Sequence, residues 1–149
     1  MRAMLEPEVF EELENTLQEI REVSEEGTPI IVEGKKDEKS LRELDISGPI
    51  YQVPNRGQTM LKSLEDLPKY DEAIILTDFD RTGENLAEFC EKQLEKLGVS
   101  ILFNLRDRLR GFVRKPVKDI EGMASFIKRE RAAQLGHVPE GSNFSVFKR

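Results

Sequence analysis

Three carboxylates in this chain stand where chemistry can be done. Glu33 closes the apolar run Pro29-Ile30-Ile31-Val32 and is followed by Gly34. Asp78 and Asp80 close a second run, Ala73-Ile74-Ile75-Leu76-Thr77, with only Phe79 between them. If that strand continues to Asp80, both aspartates project to one side, because strand side chains repeat every two residues. Crowded carboxylates repel each other and favour a cation. Hard oxygen donors at a strand end suit Mg²⁺, which keeps several waters and shares itself with substrate phosphate. Each residue also has a plainer reading. Asp80 can cap the helix that follows, with Asp78 in a turn. Glu33, at the end of a buried strand, needs a partner, and Lys35 or Lys36 can supply one. Glu84, one turn into the helix after Asp80, reads equally as a supporting group of the site or as an acid at a helix N-terminus.

The elements that must position these groups follow from hydrophobic spacing. Val9, Leu13, Leu17, Ile20 and Val23 recur at three and four residues and predict an amphipathic helix over residues 8–25, stopped by Gly27. Residues 29–34 read as a buried strand and turn, 35–44 as a short helix, and 50–54 as a second strand before the turn Asn55-Arg56-Gly57. Met60, Leu61, Leu64 and Leu67 mark a helix that stops before Pro68. Residues 73–77 form the best-defined strand. A helix with Leu86, Phe89, Cys90, Leu94 and Leu97 on one stripe ends at Gly98, and 99–103 is a fourth strand. The order βαβαβαβ predicts a parallel sheet with helices on both faces and ligands at the carboxyl ends of its strands. Beyond it, Asp119 to about Gln134 holds a helix with Ile120, Met123, Ala124, Phe126 and Ile127 inward. The tail from Gly136 is loop-like, with Phe144, Val146 and Phe147 as a candidate edge strand.

Composition narrows the function classes. The 149 residues fit one domain, and 38% hydrophobic with 35% charged residues suits a highly charged globule. No stretch approaches the roughly 20 apolar residues of a membrane span, and no apolar leader is visible. A cytoplasmic location is the expectation. The single cysteine, Cys90, lies on an apolar stripe and reads as core. His137 sits in the tail and is given no catalytic role. A net charge of −6 argues against a nonspecific coat of nucleic acid. Positive charge concentrates instead in Arg106, Arg108, Arg110, Arg114, Lys115 and Lys118. That run reads equally as a phosphate-backbone contact or as a solvated, acid-paired face.

The two acidic segments are also the carriers of a family resemblance. Ile31-Val32-Glu33-Gly34-Lys35-Lys36-Asp37-Glu38 resembles the first motif of Toprim domains, and Thr77-Asp78-Phe79-Asp80-Arg81-Thr82-Gly83-Glu84 resembles the second. They occur in the family's order, with Asn55-Arg56-Gly57 between them where the family has a glycine-bearing turn. The resemblance covers about residues 29–104. It implies an α/β, Toprim/Rossmann-like fold of about four parallel strands with helices on both faces, an N-terminal helix and a C-terminal extension. The corresponding division is 1–28 for the N-terminal helix, 29–104 for the core and 105–149 for the extension. The resemblance further implies Glu33 as general acid/base and metal ligand, Asp78 and Asp80 as the remaining ligands, and Mg²⁺ as cofactor, with two ions expected. Glu84, Gly34 and Gly57 would support the site, and Lys35, Arg56 and Arg81 would meet phosphate. Toprim domains occur in topoisomerases, bacterial-type primases, recombination proteins and nucleases. The Glu-Gly-Lys-x-Asp stretch is most similar to the ribonuclease that matures 5S ribosomal RNA and to small stand-alone Toprim proteins. No strand-passage, zinc-binding or polymerase-accessory module accompanies the motifs, which argues against a topoisomerase or primase acting alone. The expected function is Mg²⁺-dependent phosphodiester cleavage or transfer on RNA or DNA, without a membrane. The alternative is a noncatalytic, metal-dependent nucleic-acid-binding or accessory module of a larger protein assembly.

Overall fold

In the computed structural model, residues 2–54, 61–102, 104–113 and 116–136 are described. Helix α1 (Pro7–Glu25) starts with proline at its first position, where the missing N–H costs nothing. It buries Phe10, Leu13, Thr16, Leu17, Ile20 and Ser24. Strand β1 (Ile30–Val32) is followed by α2 (Lys35–Glu43), β2 (Ile50–Gln52), a single 3₁₀ turn (Leu67–Lys69) and β3 (Glu72–Ile75). Helix α3 (Arg81–Lys96), strand β4 (Ser100–Ile101), helix α4 (Asn104–Val113) and helix α5 (Met123–Leu135) complete the described elements.

Three helices end in the same way. Thr28 N donates to the Val23 carbonyl and Gly27 N to that of Ser24, with Gly27 at φ +106°. Gly98, at φ +86°, repeats the pattern after α3. Asp45, at φ +65°, does so after α2. These paired six-to-one and five-to-two hydrogen bonds satisfy the last carbonyls of each helix and turn the chain back toward the sheet. The stops expected at Gly27 and Gly98 are therefore present, and an aspartate does the same work at the third position.

The four strands pair in parallel in the order β2-β1-β3-β4. Alternation along them separates two cores. Ile30, Val32, Ile74 and Leu76 face α1, α2, α4 and α5. Ile31, Ala73, Ile75 and Ile101 face α3 and the segment carrying Leu64 and Leu67. The expected parallel sheet with helices on both faces is thus observed, as are the N-terminal helix and a C-terminal helical segment.

Several boundaries differ from expectation. β3 ends at Ile75, so Thr77-Asp78-Phe79-Asp80 is a loop and not a strand continuation. The reason is that Thr77 and Asp80 are committed to the start of α3. The Thr77 hydroxyl donates to the Gly83 carbonyl at 2.7 Å, and Asp80 caps the helix. Residues 61–63 are helical, but the segment continues through Pro68 as a 3₁₀ turn, and Leu61 is exposed. Leu97 also lies outside, 47% exposed. Helix α4 was not expected from the basic run. Met60, Phe103, Arg114, Lys115, His137 and the candidate edge strand at 144–147 lie outside the described residues, as does the turn at 55–57.

Candidate functional site

The chain leaves β1 for one neighbour through α2 and leaves β3 for the opposite neighbour through α3. In such sheets the crevice between the diverging strands is where ligands bind. Here that crevice lies at the carboxyl ends of β1 and β3, and those ends carry Glu33 and Asp78. The Asp78 N–H donates to Glu33 Oε2 at 2.9 Å, joining residues 45 apart in the chain. Asp78 Oδ1 accepts from Ile120 N at 3.0 Å. Asp80 Oδ1 accepts from Gly83 N at 2.7 Å. Each carboxylate thus spends one oxygen on a backbone N–H, and no further hydrogen bond or ion pair among the described residues engages the other oxygen. The plainer reading of Asp80 as a helix cap holds, and it leaves that second oxygen open.

The lysine partner considered for Glu33 is absent among the described residues. Lys36 instead approaches Glu121 at 3.8 Å, both well exposed. Lys35 and Arg81 are exposed at the first positions of α2 and α3, whose N-termini border the crevice. Gly57 and Arg56, expected to support the site and meet phosphate, lie outside the described residues.

Two residues add charge that sequence reasoning did not single out. Asp37 is only 7% exposed and accepts from Gly34 N at 3.0 Å. Burial first, then the charge of Asp78, pushes its carboxyl up to about 6. Asp119, in the loop before α5, adds its charge to both Asp37 and Asp78. Burial also raises the Asp78 carboxyl to about 6; the Ile120 N–H opposes this, while Glu33, Asp119 and Asp80 add to it. The repeat of an acid four residues after Glu33 was a visible signal for Asp37. Nothing local marked Asp119, which arrives from a distant segment.

Glu84 is engaged by arginines rather than by these groups. It is held by Arg106 at 2.8 Å and by Arg110. Burial alone would raise its carboxyl, but the hydrogen bonds and charge of the two arginines prevail and lower it. Arg108 pairs with Glu19 at 3.0 Å. Of the basic run, Arg106, Arg108 and Arg110 are acid-paired, which favours the second of its two readings. A cavity of about 330 Å³ between α3, β4 and α4 contains Glu84, Glu88, Glu91 and Arg106 in its walls but neither Glu33 nor Asp78. Its acidic rim does not suit a phosphate. Burial pushes the Cys90 thiol up to about 12, consistent with a core role.

The glycines of the two acidic motifs serve opposite purposes. A Cβ on Gly83 would stand 1.9 Å from the Asp78 carbonyl oxygen, so only glycine lets α3 begin against the Asp78 backbone. A Cβ on Gly34 would meet nothing within 4 Å, and its φ of −160° suits any residue.

The Toprim domain family matches residues 28–105. The chain belongs to that family. A UPF0292 protein of Methanosarcina acetivorans is 33% identical over 124 residues, covering 83% of this chain and 85% of the relative. The UPF0292 protein PF1724 of Pyrococcus furiosus is 36% identical over 120 residues, 78% of this chain and 85% of the relative. These matches are longer than the Toprim span itself. A solved structure of a protein from Aquifex aeolicus aligns with a TM-score of 0.58 and 27% identity, covering 73% of this chain and 95% of that one.

Toprim domains generally bind Mg²⁺ and act on nucleic acid. The donors of this Toprim domain suit such an ion: hard carboxylate oxygens, left open and without a cationic partner among the described residues. No three acids, imidazoles or thiols among the described residues are grouped to close around one ion. No helix among the described residues is long and apolar enough to cross a membrane.

Two predictions follow from this geometry. Gly83→Ala should destabilise the fold by about 1–3 kcal/mol through overpacking, whereas Gly34→Ala should change it by less than about 1 kcal/mol; urea titration of both variants is the check, and equal losses would refute the distinction. The second concerns pH. The Asp78 carboxyl rises from 3.8 to about 6 on folding, so the unfolded chain loses its proton first as pH climbs through that window. Folded stability falls there and stays lower above it. The shift corresponds to roughly 3 kcal/mol, reduced to about 1–2 kcal/mol by partial exposure. In chelator at pH 7.5, Asp78→Asn should therefore be more stable than the unaltered protein by that amount, with the gap closing below about pH 4. A gap independent of pH would show that burial of this charge is not its cause.

Proposed function

We propose that this protein uses the crevice between β1 and β3 for Mg²⁺-dependent phosphodiester cleavage or transfer on nucleic acid. The observation that carries the reading is the Glu33 carboxylate hydrogen-bonded to the Asp78 N–H at 2.9 Å. It joins two acids that have no cationic partner among the described residues, at the switch point of a Toprim sheet. Glu33, Asp78 and Asp80 are the proposed ligands, and two ions are the proposed stoichiometry. Mg²⁺ bound there would offset the charge developing on the attacking and leaving oxygens of a phosphoryl displacement.

The chain's own groups divide the remaining work. The Asp78 N–H fixes one oxygen of Glu33. The other oxygen is free to take a proton from an attacking water or hydroxyl, or to return one to the leaving oxygen. Lys35 and Arg81, at the starts of α2 and α3, are the proposed holders of the flanking phosphates, with Arg56 as a further candidate. The bare backbone of Gly34 leaves room for a strand to pass beside Glu33. A noncatalytic, metal-dependent binding module is the second reading. It is favoured by the lack of a closed three-acid group among the described residues.

Glu33→Gln should abolish cleavage of labelled RNA or DNA panels while the fold is retained. Cleavage at the unaltered rate by that variant would remove the proton-transfer role. Mg²⁺ should raise the melting temperature, and Asp78→Asn combined with Asp80→Asn should erase the response. Intact but retarded nucleic acid, dependent on Mg²⁺, would establish the binding module instead.

A further inference from the structure

We infer that Arg106 is a positioning residue for Asp78, and that residues following the Toprim-matching span complete the hold on the acidic loop. This rests on the reading of Asp78 as a metal ligand given above. β3 ends at Ile75, so the sheet does not hold Thr77, Asp78 and Phe79. Within the matching span, the Thr77 hydroxyl donates to the Gly83 carbonyl at 2.7 Å and Asp78 N to Glu33 at 2.9 Å; further bonds come from α4 and from the segment after it. Arg106 is 4% exposed. Its Nε donates to the Thr77 carbonyl at 3.1 Å, its Nη2 to the Asp78 carbonyl and its Nη1 to Glu84 at 2.8 Å. Its guanidinium also lies over the Phe79 ring, 5.5 Å from the centroid.

The opposite side of the loop is closed by two further bonds. Phe79 N donates to the Lys118 carbonyl at 2.8 Å, and Ile120 N donates to Asp78 Oδ1 at 3.0 Å. The second of these grips the carboxylate itself. Residues 106, 118 and 120 all fall outside the span 28–105 that matches the family. A guanidinium is the one side chain that can serve two carbonyls and a carboxylate at once from a rigid plane. Glu84 takes its third donor and so fixes the plane's orientation from α3.

Amide hydrogen exchange and Mg²⁺ titration of the full chain test this together. In chelator, Arg106→Gln should speed exchange at Phe79 and Ile120 by about tenfold or more while Ile74 and Leu76, in the β1–β3 ladder, stay protected. Mg²⁺ affinity should fall by about 10–100-fold, the usual effect of removing a group that orients a ligand. Arg106→Lys retains the charge toward Glu84 but cannot span all three acceptors; it should show the same loosening to a smaller degree, and carries the test if the glutamine variant does not fold. Leu109→Ala, a buried residue on the same helix, should lower global stability without altering Mg²⁺ affinity. Unchanged exchange at Phe79 and Ile120 overturns the positioning role. So does faster exchange with unaltered Mg²⁺ affinity, or an affinity loss matched by Leu109→Ala. If the unaltered protein binds no Mg²⁺ while the arginine variants still loosen the loop, the metal reading falls and the structural assignment of Arg106 to this loop stands.

Discussion

Leu76 N donates to the Ile31 carbonyl at 2.8 Å, and Ile74 N to that of Pro29 at 2.9 Å. On this parallel ladder between β1 and β3 the site depends. Parallel strands need a crossover between them, so their carboxyl ends lie side by side although Glu33 and Asp78 are 45 residues apart. Both strands are buried on both faces, and the alternation of Ile30 and Val32 against Ile31 fixes which side chains enter which core. A slip of one residue would exchange the two faces, which makes this register strongly specified. The two helices that follow these strands both start at that edge.

The concentration of negative charge at that edge runs against stability. Burial and mutual repulsion raise Asp37 and Asp78 to about 6. Around them the molecule pairs its charges carefully: Arg131 with Glu14, Lys128 with Glu43, Arg108 with Glu19. The same care is withheld from Glu33, Asp78 and Asp80, for which no ion pair exists among the described residues. Strain of this kind, tolerated at one place and avoided elsewhere, is characteristic of functional sites.

The segment after β4 closes the site from outside. Arg106 is buried with its charge matched by Glu84, and loss of one partner of a buried pair commonly costs about 3–5 kcal/mol. Its two bonds to loop carbonyls, with those of Phe79 N and Ile120 N, add to the bonds that Thr77, Asp78 and Asp80 make with Gly83 and Glu33. Gly83 completes the arrangement from α3, since any side chain there would collide with the Asp78 backbone.

Much of this was legible from residue order. The apolar runs at 30–32 and 73–76, the helical stripes of α1 and α3, and the glycine stops at 27 and 98 act through local spacing and backbone conformation, and those determine the parallel α/β fold and bring Glu33 and Asp78 just past strand ends. The acid-x-acid step was legible only in part, because a helix cap and a metal ligand demand the same residue. Helix α4 was hidden, since Leu105, Leu109 and Val113 are its only regular apolar marks and Arg106 occupies a buried position that periodicity assigns to solvent. What the tertiary structure alone decided is which charges meet. Asp37 and Asp119 join the cluster, and Arg106 takes hold of the acidic loop, because burial and distance between remote segments set electrostatic coupling, and neither quantity is written in the spacing of residues along a chain.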